Sequence, residues 1–326
     1  MSVYARALRW PQLIVGGLAA LLLFIQVVAP ETSQFTSPSL EQSDASGFTL
    51  LSANVGNGDP RCAFQWLKLC RSDVEARLTA SLAELRPEVV ALKETLPDHL
   101  CEGAPLVDPG NVCGGEYSAP QVRRLLGPDY TITCDSRNRI ECIGVRTDVG
   151  EIRGCELGAL CTSDRMASIT TGCRAHLSVF VATVEVRGVQ FDIVNAHPEN
   201  RSAECRLDSI QQFFEGDLIE EERALILGDV NLDPWRGDDV STEYWNTQVG
   251  SAETHAFYYH SGPAEQEPPY PTIRSSFFTR TLDHVASNFL EGTTLTLGEA
   301  PGTMRLDGGA GMDHRALHVW LAFPEQ

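Results

Sequence analysis

Residues 224–231 read Ala-Leu-Ile-Leu-Gly-Asp-Val-Asn and give the clearest structural signal in the chain. Four consecutive apolar residues that follow a charged run are typical of a short strand buried on both faces. The chain then passes through Gly228 into Asp229, and Asn231 follows two residues later. We therefore expect an α/β sheet in which this strand ends in polar side chains.

The same pattern recurs along the chain. Other apolar segments run into polar residues: Asn54, Glu94, His197, Asp283, and Asp313 with His314. Strand ends can bring side chains from distant parts of a sequence into one crevice. For any one of these residues alone, a turn-forming role is the simpler interpretation, because Asn and Asp are common after strands.

Hydrophobic periodicity predicts one α/β domain over residues 47–326. Val179–Val186 and Val189–Ala196 alternate about an Arg-Gly pair, which predicts a hairpin. Helices are predicted over residues 72–86, where Ser72 and Glu75 form a capping-box pattern, and over residues 203–214. Further strands are predicted at residues 48–53, 89–92, 224–227, 281–287 and 316–323, and alternation in the last of them assigns His318 to the solvent side.

Ten cysteines lie between Cys62 and Cys205. They do not form the Cys-x-x-Cys clusters of zinc sites, so the pattern predicts disulfides and an oxidising compartment. Connectivity cannot be deduced from a cysteine count. Among the possible pairings we favour three short loops: Cys101–Cys113, Cys134–Cys142 and Cys155–Cys161. The alternative is a cytosolic enzyme with ten reduced cysteines.

The N-terminal segment, residues 1–29, has two arginines before an uncharged apolar run at residues 13–29. At ~1.5 Å per residue, a helix of this length nearly spans a bilayer core. It predicts a signal peptide or membrane anchor, and Pro30 favours the anchor because it hinders cleavage. The basic residues place the catalytic domain outside the cytoplasm, membrane-anchored or, after cleavage, secreted. The Ser-, Pro- and Thr-rich residues 30–46 are predicted to be a flexible linker.

The formal net charge of −19 argues against a protein that coats nucleic acid, because sequence-independent affinity for nucleic acid comes from lysine and arginine. A bound divalent cation would still supply positive charge locally. Residues 121–187 contain nine arginines and are nearly neutral. Arg139, Arg146 and Arg165 in this stretch are candidates for contacting a substrate phosphate. The alternative is that they pair with neighbouring acids on the surface.

Taken together, the polar residues suit phosphoester hydrolysis. That reaction needs a hard cation at the nonbridging oxygens, an oriented water, donors for developing charge and an acid for the leaving oxygen. Glu94, Asp229 and Asp313 offer the oxygen ligands that Mg²⁺ or Mn²⁺ prefers. His197 and His314 can transfer protons or stabilise charge at phosphorus.

Six short motifs follow one another from residue 47 onward: Leu51-Ser-Ala-Asn54-Val, Ala91-Leu-Lys-Glu94-Thr95, Val194-Asn-Ala-His197-Pro, Leu227-Gly-Asp229-Val-Asn231, Thr281-Leu-Asp283-His-Val and Met312-Asp313-His314-Arg315-Ala316. Each motif is weak alone. In this order, they resemble the endonuclease/exonuclease/phosphatase (DNase I-like) superfamily. Lys93 stands where that family usually has Gln, and Met312 where it usually has Ser. These two departures affect the assignment of the chain to a branch of the family, but they do not affect the expected chemistry.

The resemblance implies a fold and a metal site. The fold would be a four-layer α/β sandwich, with two mixed sheets face to face and helices outside, after the N-terminal transmembrane or signal segment. Glu94 would be a ligand of Mg²⁺ or Mn²⁺, with Asp313 close to the same ion. Asn54 and Asp229 would complete the surroundings of the metal.

The resemblance also implies catalytic roles. Asp229 would orient or deprotonate the attacking water, and Asn231 would hold the phosphate. Asp283 would fix the tautomer of His314, which would act at the phosphorus and contact the phosphate. His197 would be the acid for the leaving group or a phosphate ligand.

We therefore expect a metal-dependent phosphoester hydrolase of the phosphodiesterase or nuclease type. Three substrate classes are compatible with the sequence. They are nucleic acid, a lipid headgroup as in a sphingomyelinase-like enzyme, and a small phosphoester as in a phosphatase. The predicted anchor slightly favours a lipid. A non-catalytic surface-binding module on the same fold is a remote alternative, because the carboxylates and both histidines are present. The sequence indicates no protein partner.

Overall fold

A computed structural model describes the following parts of the chain, all of which belong to one compact unit: residues 47–56, 68–101, 112–113, 117–174, 177–260, 272–274, 279–297 and 314–324. The predicted N-terminal segment and linker, residues 1–46, lie outside the described residues, as does Asp313. Within the described part, no helix is both long enough and apolar enough to cross a membrane.

The chain alternates strands with a few helices. The helices are α1 (Ser72–Leu85), α2 (Gln121–Leu126), α3 (Ala203–Phe214) and α4 (Val240–Gln248), with a 3₁₀ turn at Asp98–Leu100. The strands are β1 (Gly47–Asn54), β2 (Val89–Lys93), β3 (Tyr130–Asp135), β4 (Cys142–Arg146), β5 (Gly150–Ile152), β6 (Leu160–Ser163), β7 (Val179–Val186), β8 (Val189–Ala196), β9 (Ala224–Asp229), β10 (Val249–Gly250), β11 (Phe257–Tyr259), β12 (Ile273–Arg274), β13 (Thr279–Arg280), β14 (Asp283–Ser287), β15 (Glu291–Thr296) and β16 (Leu317–Ala322).

These strands form two seven-stranded mixed sheets and one small two-stranded ribbon. The first sheet has the order β15-β16-β1-β2-β4-β3-β6, and the second has the order β10-β11-β14-β9-β8-β7-β5. Strands β1 and β2 run parallel, as do β8 and β9, and most of the other neighbours run antiparallel. The predicted hairpin is confirmed residue for residue as β7 and β8.

Three apolar clusters show how the layers stack. Between the sheets, side chains of the first sheet such as Leu50 and Ile143 pack against side chains of the second such as Phe191 and Leu225. The outer face of the first sheet is covered by α1 and α2, and the outer face of the second by α3 and α4. The predicted four-layer sandwich is therefore confirmed.

Two local predictions are wrong for reasons of tertiary packing. Ser72 and Glu75 do not form a capping box: the helix is capped by Arg71 without a side-chain bond, and the Glu75 carboxylate binds Gln121 and Arg124 instead. His318 is buried rather than exposed, because it pairs with Leu51 and shares the face of the sheet that packs against α1 and α2. Burial lowers the pKa of His318 to about 4.

Four disulfides join described residues: Cys101–Cys113, Cys134–Cys142, Cys155–Cys161 and Cys173–Cys205. The three short loops favoured from the sequence are confirmed, and Cys70 is disulfide-bonded as well. The Cys134–Cys142 bond ties β3 to β4 next to Glu141. These bonds indicate an oxidising environment, because cytosolic thiols are kept reduced.

Candidate active site

Most of the sequence-predicted residues meet at one end of the sandwich, where strands of both sheets end. Asn54 ends β1, Glu94 directly follows β2, His197 directly follows β8, and Asp229 ends β9. Asp283 begins β14 yet lies at the same end, because β14 runs antiparallel to β9 and pairs Asp283 with Asp229. The topology thus gathers side chains that are far apart in sequence.

Side-chain hydrogen bonds hold the two sheets together at this end. Asn54 of the first sheet donates from Nδ2 to Asp229 Oδ2 of the second over 3.1 Å. Asn195, at the end of β8, donates to the carbonyl oxygens of Leu92 (3.3 Å) and Cys142 (3.2 Å) in the first sheet. Each such bond contributes on the order of 1 kcal/mol. Together they fix the distance between the two halves of the site.

One histidine is held by Asp283. His314 Nδ1 lies 2.7 Å from Asp283 Oδ2, and both side chains are buried. Burial raises the pKa of Asp283, but the charge and hydrogen bond of His314, aided by Lys93, outweigh this and lower it. The carboxylate therefore stays ionised and orients the imidazole, so that Nε2 points toward Asp229 Oδ2, 3.5 Å away.

A second histidine is held by Glu141, a residue that the sequence pattern did not indicate. His197 Nδ1 lies 2.7 Å from Glu141 Oε1, and both side chains are buried. The other ring nitrogen, Nε2, lies 3.8 Å from Glu94 Oε1 and 3.7 Å from Asp229 Oδ2. Burial lowers the pKa of His197, but these three carboxylates outweigh burial and raise it. His197 is therefore suited to hold a proton.

Two candidate residues adopt left-handed backbone conformations. Glu94 has φ 61° and Asn231 has φ 55°, which is uncommon for residues other than glycine and is concentrated at functional sites. A Cβ on Gly56 would come within 1.8 Å of Glu94 Oε2, so only glycine leaves room for this carboxylate. Asn231 is anchored by its amide to the carbonyl of Pro198, 3.1 Å away.

Two lysines also reach the site. Lys68 Nζ lies 3.6 Å from Glu94 Oε1. Lys93, which precedes Glu94, donates from Nζ to Ser52 Oγ over 2.6 Å. Burial lowers the pKa of Lys93 to about 8, and nearby Asp283, Glu141 and Asp229 limit that fall.

The donor set fits a hard divalent cation. Among the described residues, Asp229, Asp283 and His314 are the one group of three or more His, Cys, Asp or Glu side chains whose ligand atoms all lie within 4.8 Å of one another. Asp283 Oδ1 is buried and has no hydrogen-bond partner in the described part of the chain. Glu94 approaches Asp229 from the other sheet through their shared neighbour, His197 Nε2. These oxygen-rich donors suit Mg²⁺ or Mn²⁺.

The three arginine candidates have different surroundings. Arg146 pairs with Glu88 and Asp148, and Arg165 pairs with Asp192 and Glu220, so both are ordinary ion-paired residues. Arg139 has no ion-pair partner among the described residues and lines a cavity of about 510 Å³.

The cavity wall includes residues that are neighbours of site residues in the sequence. Thr95, which follows Glu94, also lines it. The Thr95 amide and hydroxyl both donate to the carbonyl of Ile140, the residue between Arg139 and Glu141. Arg137 is a second cation in the cavity wall. The two Thr95 bonds tie the segment after Glu94 to the segment before Glu141.

Solved structures share this architecture. TDP2 from D. rerio, humanized by 14 mutations, is 15% identical with a TM-score of 0.58, over 85% of this chain and 99% of that chain. The human nocturnin catalytic domain with bound sulfate is 14% identical with a TM-score of 0.52, over 90% of this chain and 97% of that chain. A mannosyl-6-phosphatase from Bacteroides thetaiotaomicron is 14% identical with a TM-score of 0.53, over 85% of this chain and all of that chain.

No protein-family model matches the sequence, and no curated protein matches it. An endonuclease/exonuclease/phosphatase family protein from the same Bacteroides species is also among the structural neighbours, with a TM-score of 0.53. The chain therefore has the DNase I-like fold of this superfamily, as the six sequence motifs predicted.

Proposed function

We propose that this protein is a divalent-cation-dependent phosphodiesterase that acts outside the cytoplasm. One observation carries the proposal: two buried histidine–carboxylate pairs direct the Nε2 atoms of their imidazole rings at the same oxygen. His197 Nε2 and His314 Nε2 lie 3.7 Å and 3.5 Å from Asp229 Oδ2. An acid, a base and a charge-stabilising donor around one point are what phosphoester hydrolysis requires.

In this proposal, Asn54, Glu94, Asp229 and Asp313 would hold Mg²⁺ or Mn²⁺, which would supply positive charge to the nonbridging phosphate oxygens. Asp229 orients the attacking water and accepts its proton. Asn231 and His314 bind the phosphate, and His314 keeps its tautomer through Asp283. His197, protonated beside Glu141, gives its proton to the leaving oxygen.

The disulfides support an extracytoplasmic location. Attachment through the apolar run at residues 13–29 remains a prediction from the sequence. Phosphodiesters are proposed over monoesters because the cavity lined by Thr95, the residue after Glu94, offers space for the second ester group of a diester. The following test also distinguishes a lipid phosphodiester or a small phosphomonoester as the true substrate.

The test is a substrate panel of plasmid DNA, RNA, sphingomyelin, bis(4-nitrophenyl) phosphate and 4-nitrophenyl phosphate. We expect hydrolysis of a diester with Mg²⁺ or Mn²⁺ and none in excess EDTA, because the carboxylates repel one another without a cation. Asp229→Asn should reduce turnover roughly 100-fold or more. Asp148→Asn, an exposed carboxylate paired with Arg146, is the matched control and should keep full activity. Full activity in EDTA, or in Asp229→Asn, would contradict the proposal.

A further inference from the structure

Lysine is almost absent from this chain. Its 25 basic residues comprise 23 arginines and two lysines, Lys68 and Lys93. Lysine is normally among the most exposed residue types, yet Lys93 is 0% exposed and Lys68 is 3% exposed. Arginine occupies every other basic position, so lysine at these two buried positions requires a local cause.

Both lysines lie at the candidate active site and reach it from different segments. Lys68 lies ahead of α1 and contacts Glu94. Lys93 ends β2 directly before Glu94, is fully buried and donates to Ser52. It forms no direct ion pair with a described carboxylate, and its charge interacts with Asp283, Glu141 and Asp229 from beyond contact distance. The charge of Lys68 also acts on Glu141. All the lysine in this protein is therefore directed at one group of carboxylates.

The chemistry of the site explains why arginine does not serve here. The ammonium group is a compact point charge on a slender stem, whereas guanidinium is a planar fork that binds both oxygens of a carboxylate. Lys68 contacts one oxygen of Glu94 over 3.6 Å, which leaves the other oxygen for a metal. That distance is an ion contact rather than a tight hydrogen bond, so the ammonium retains donors for another anion.

We propose that Lys68 is a ligand of the substrate phosphate, and that Lys93 is a positioning residue whose buried charge holds the carboxylates of Asp229, Asp283 and Glu141 together. The proposal rests on the proposed phosphodiesterase function and deepens it. The neighbours of the two lysines separate the roles. The Glu94 carboxylate next to Lys68 is 18% exposed, so an incoming phosphate can reach this point. Lys93 is fully buried and can act only through its neighbours.

The first test measures binding of inorganic phosphate by calorimetry in the presence of Mg²⁺. Lys68→Met should raise the Kd roughly 10-fold or more, the loss expected for a charged hydrogen bond. Lys68→Arg, which keeps the charge, should restore part of the affinity. Arg77→Met removes an exposed positive charge on α1 and is the matched control. If Lys68→Met binds phosphate within about threefold of the unmodified protein, a change well below that of a charged hydrogen bond, Lys68 is only an ion-pair partner of Glu94 and the assignment fails.

The second test measures Mn²⁺ affinity by electron paramagnetic resonance. Lys93→Gln should bind Mn²⁺ roughly 10-fold more tightly, because the metal alone then offsets the repulsion among the carboxylates, while turnover falls. Lys93→Met also removes the charge and is the second variant if Lys93→Gln does not fold. Unchanged Mn²⁺ affinity in Lys93→Gln would overturn the positioning role, since a purely structural residue does not alter metal binding.

Neither binding measurement depends on turnover, so the two proposals fail separately. Phosphate binding that requires Lys68, without hydrolysis of any ester, contradicts the phosphodiesterase function and leaves the lysine assignment intact. Normal hydrolysis combined with phosphate binding that is independent of Lys68 contradicts the lysine assignment and leaves the phosphodiesterase function intact.

Discussion

The pairing of His197 with Glu141 predicts a leaving-group effect that separates the two histidines. In Glu141→Gln, the imidazole keeps its position but loses the carboxylate that lies 2.7 Å from Nδ1. A buried hydrogen bond to a charged group is worth about 1.5–3 kcal/mol, which corresponds to roughly a 10- to 150-fold change. We expect this loss in kcat/KM for an alkyl phosphodiester, whose alkoxide leaving group needs a proton as the bond breaks.

The assay compares an alkyl and a 4-nitrophenyl phosphodiester at saturating Mg²⁺. Nitrophenolate departs without a proton, so Glu141→Gln and His197→Ala should lose less than about 3-fold on that substrate. Asp283→Asn is the matched variant in the other pair. It should slow both substrates to the same extent, because His314 is assigned to the phosphorus. His314→Ala should cost roughly 100-fold or more on both.

Equal losses on the two substrates in Glu141→Gln would refute this reasoning and leave His197 as a phosphate ligand. Near-normal activity in His314→Ala would overturn the assignment of the second pair as well. Circular dichroism and thermal unfolding of each variant serve as the folding control, because both pairs are buried in the structure.

Three further predictions concern stability and substrate size. His318 has a folded pKa of about 4, below its unfolded value of about 6.5, so its stabilising contribution is complete above pH 6.5 and is lost as pH falls toward 4. Urea unfolding should therefore show that His318→Leu loses about 2 kcal/mol less than the unmodified protein between pH 7 and pH 5. Reduction of the disulfides should lower Tm, and since Cys173–Cys205 closes the longest described loop, the Cys173→Ser, Cys205→Ser double variant should lose about 2–4 kcal/mol. Arg139→Gln should raise KM for an oligonucleotide more than for bis(4-nitrophenyl) phosphate, because only the longer substrate extends into the cavity.

The sequence predicted those parts of the fold in which local pattern and tertiary environment agree. β7, β8 and α3 have the predicted bounds, because hydrophobic alternation and helical spacing there match the faces that are buried. The segment from β3 to β6 was not assigned strands in advance. Its strands are short, and its sequence is interrupted by cysteines, glycines and charged residues whose roles depend on disulfides and on neighbouring strands.

The sequence pattern did not indicate Glu141, because its role also depends on a neighbouring strand. The sequence criterion selected polar residues that follow apolar runs, whereas Glu141 comes just before β4. It reaches the site because β4 runs antiparallel to β2, so the start of one strand lies beside the end of the other. Strand direction is a tertiary property, and a single sequence does not encode it in its local pattern. The Cys142 disulfide next to Glu141 was the available signal, since it marked this strand end as fixed.

Charge balance within the site identifies the carboxylate that a metal and a water would use. Asp283 is matched by His314, Glu141 by His197, and Glu94 by Lys68. Asp229 is shared by both pairs: its oxygens accept from the side-chain amide of Asn54 and the backbone amide of Asn231, and His197 and His314, each oriented by another acid, both direct Nε2 at it. Asp229 is thus the carboxylate on which both histidines converge, and it is the position that the proposal assigns to the metal and to the attacking water.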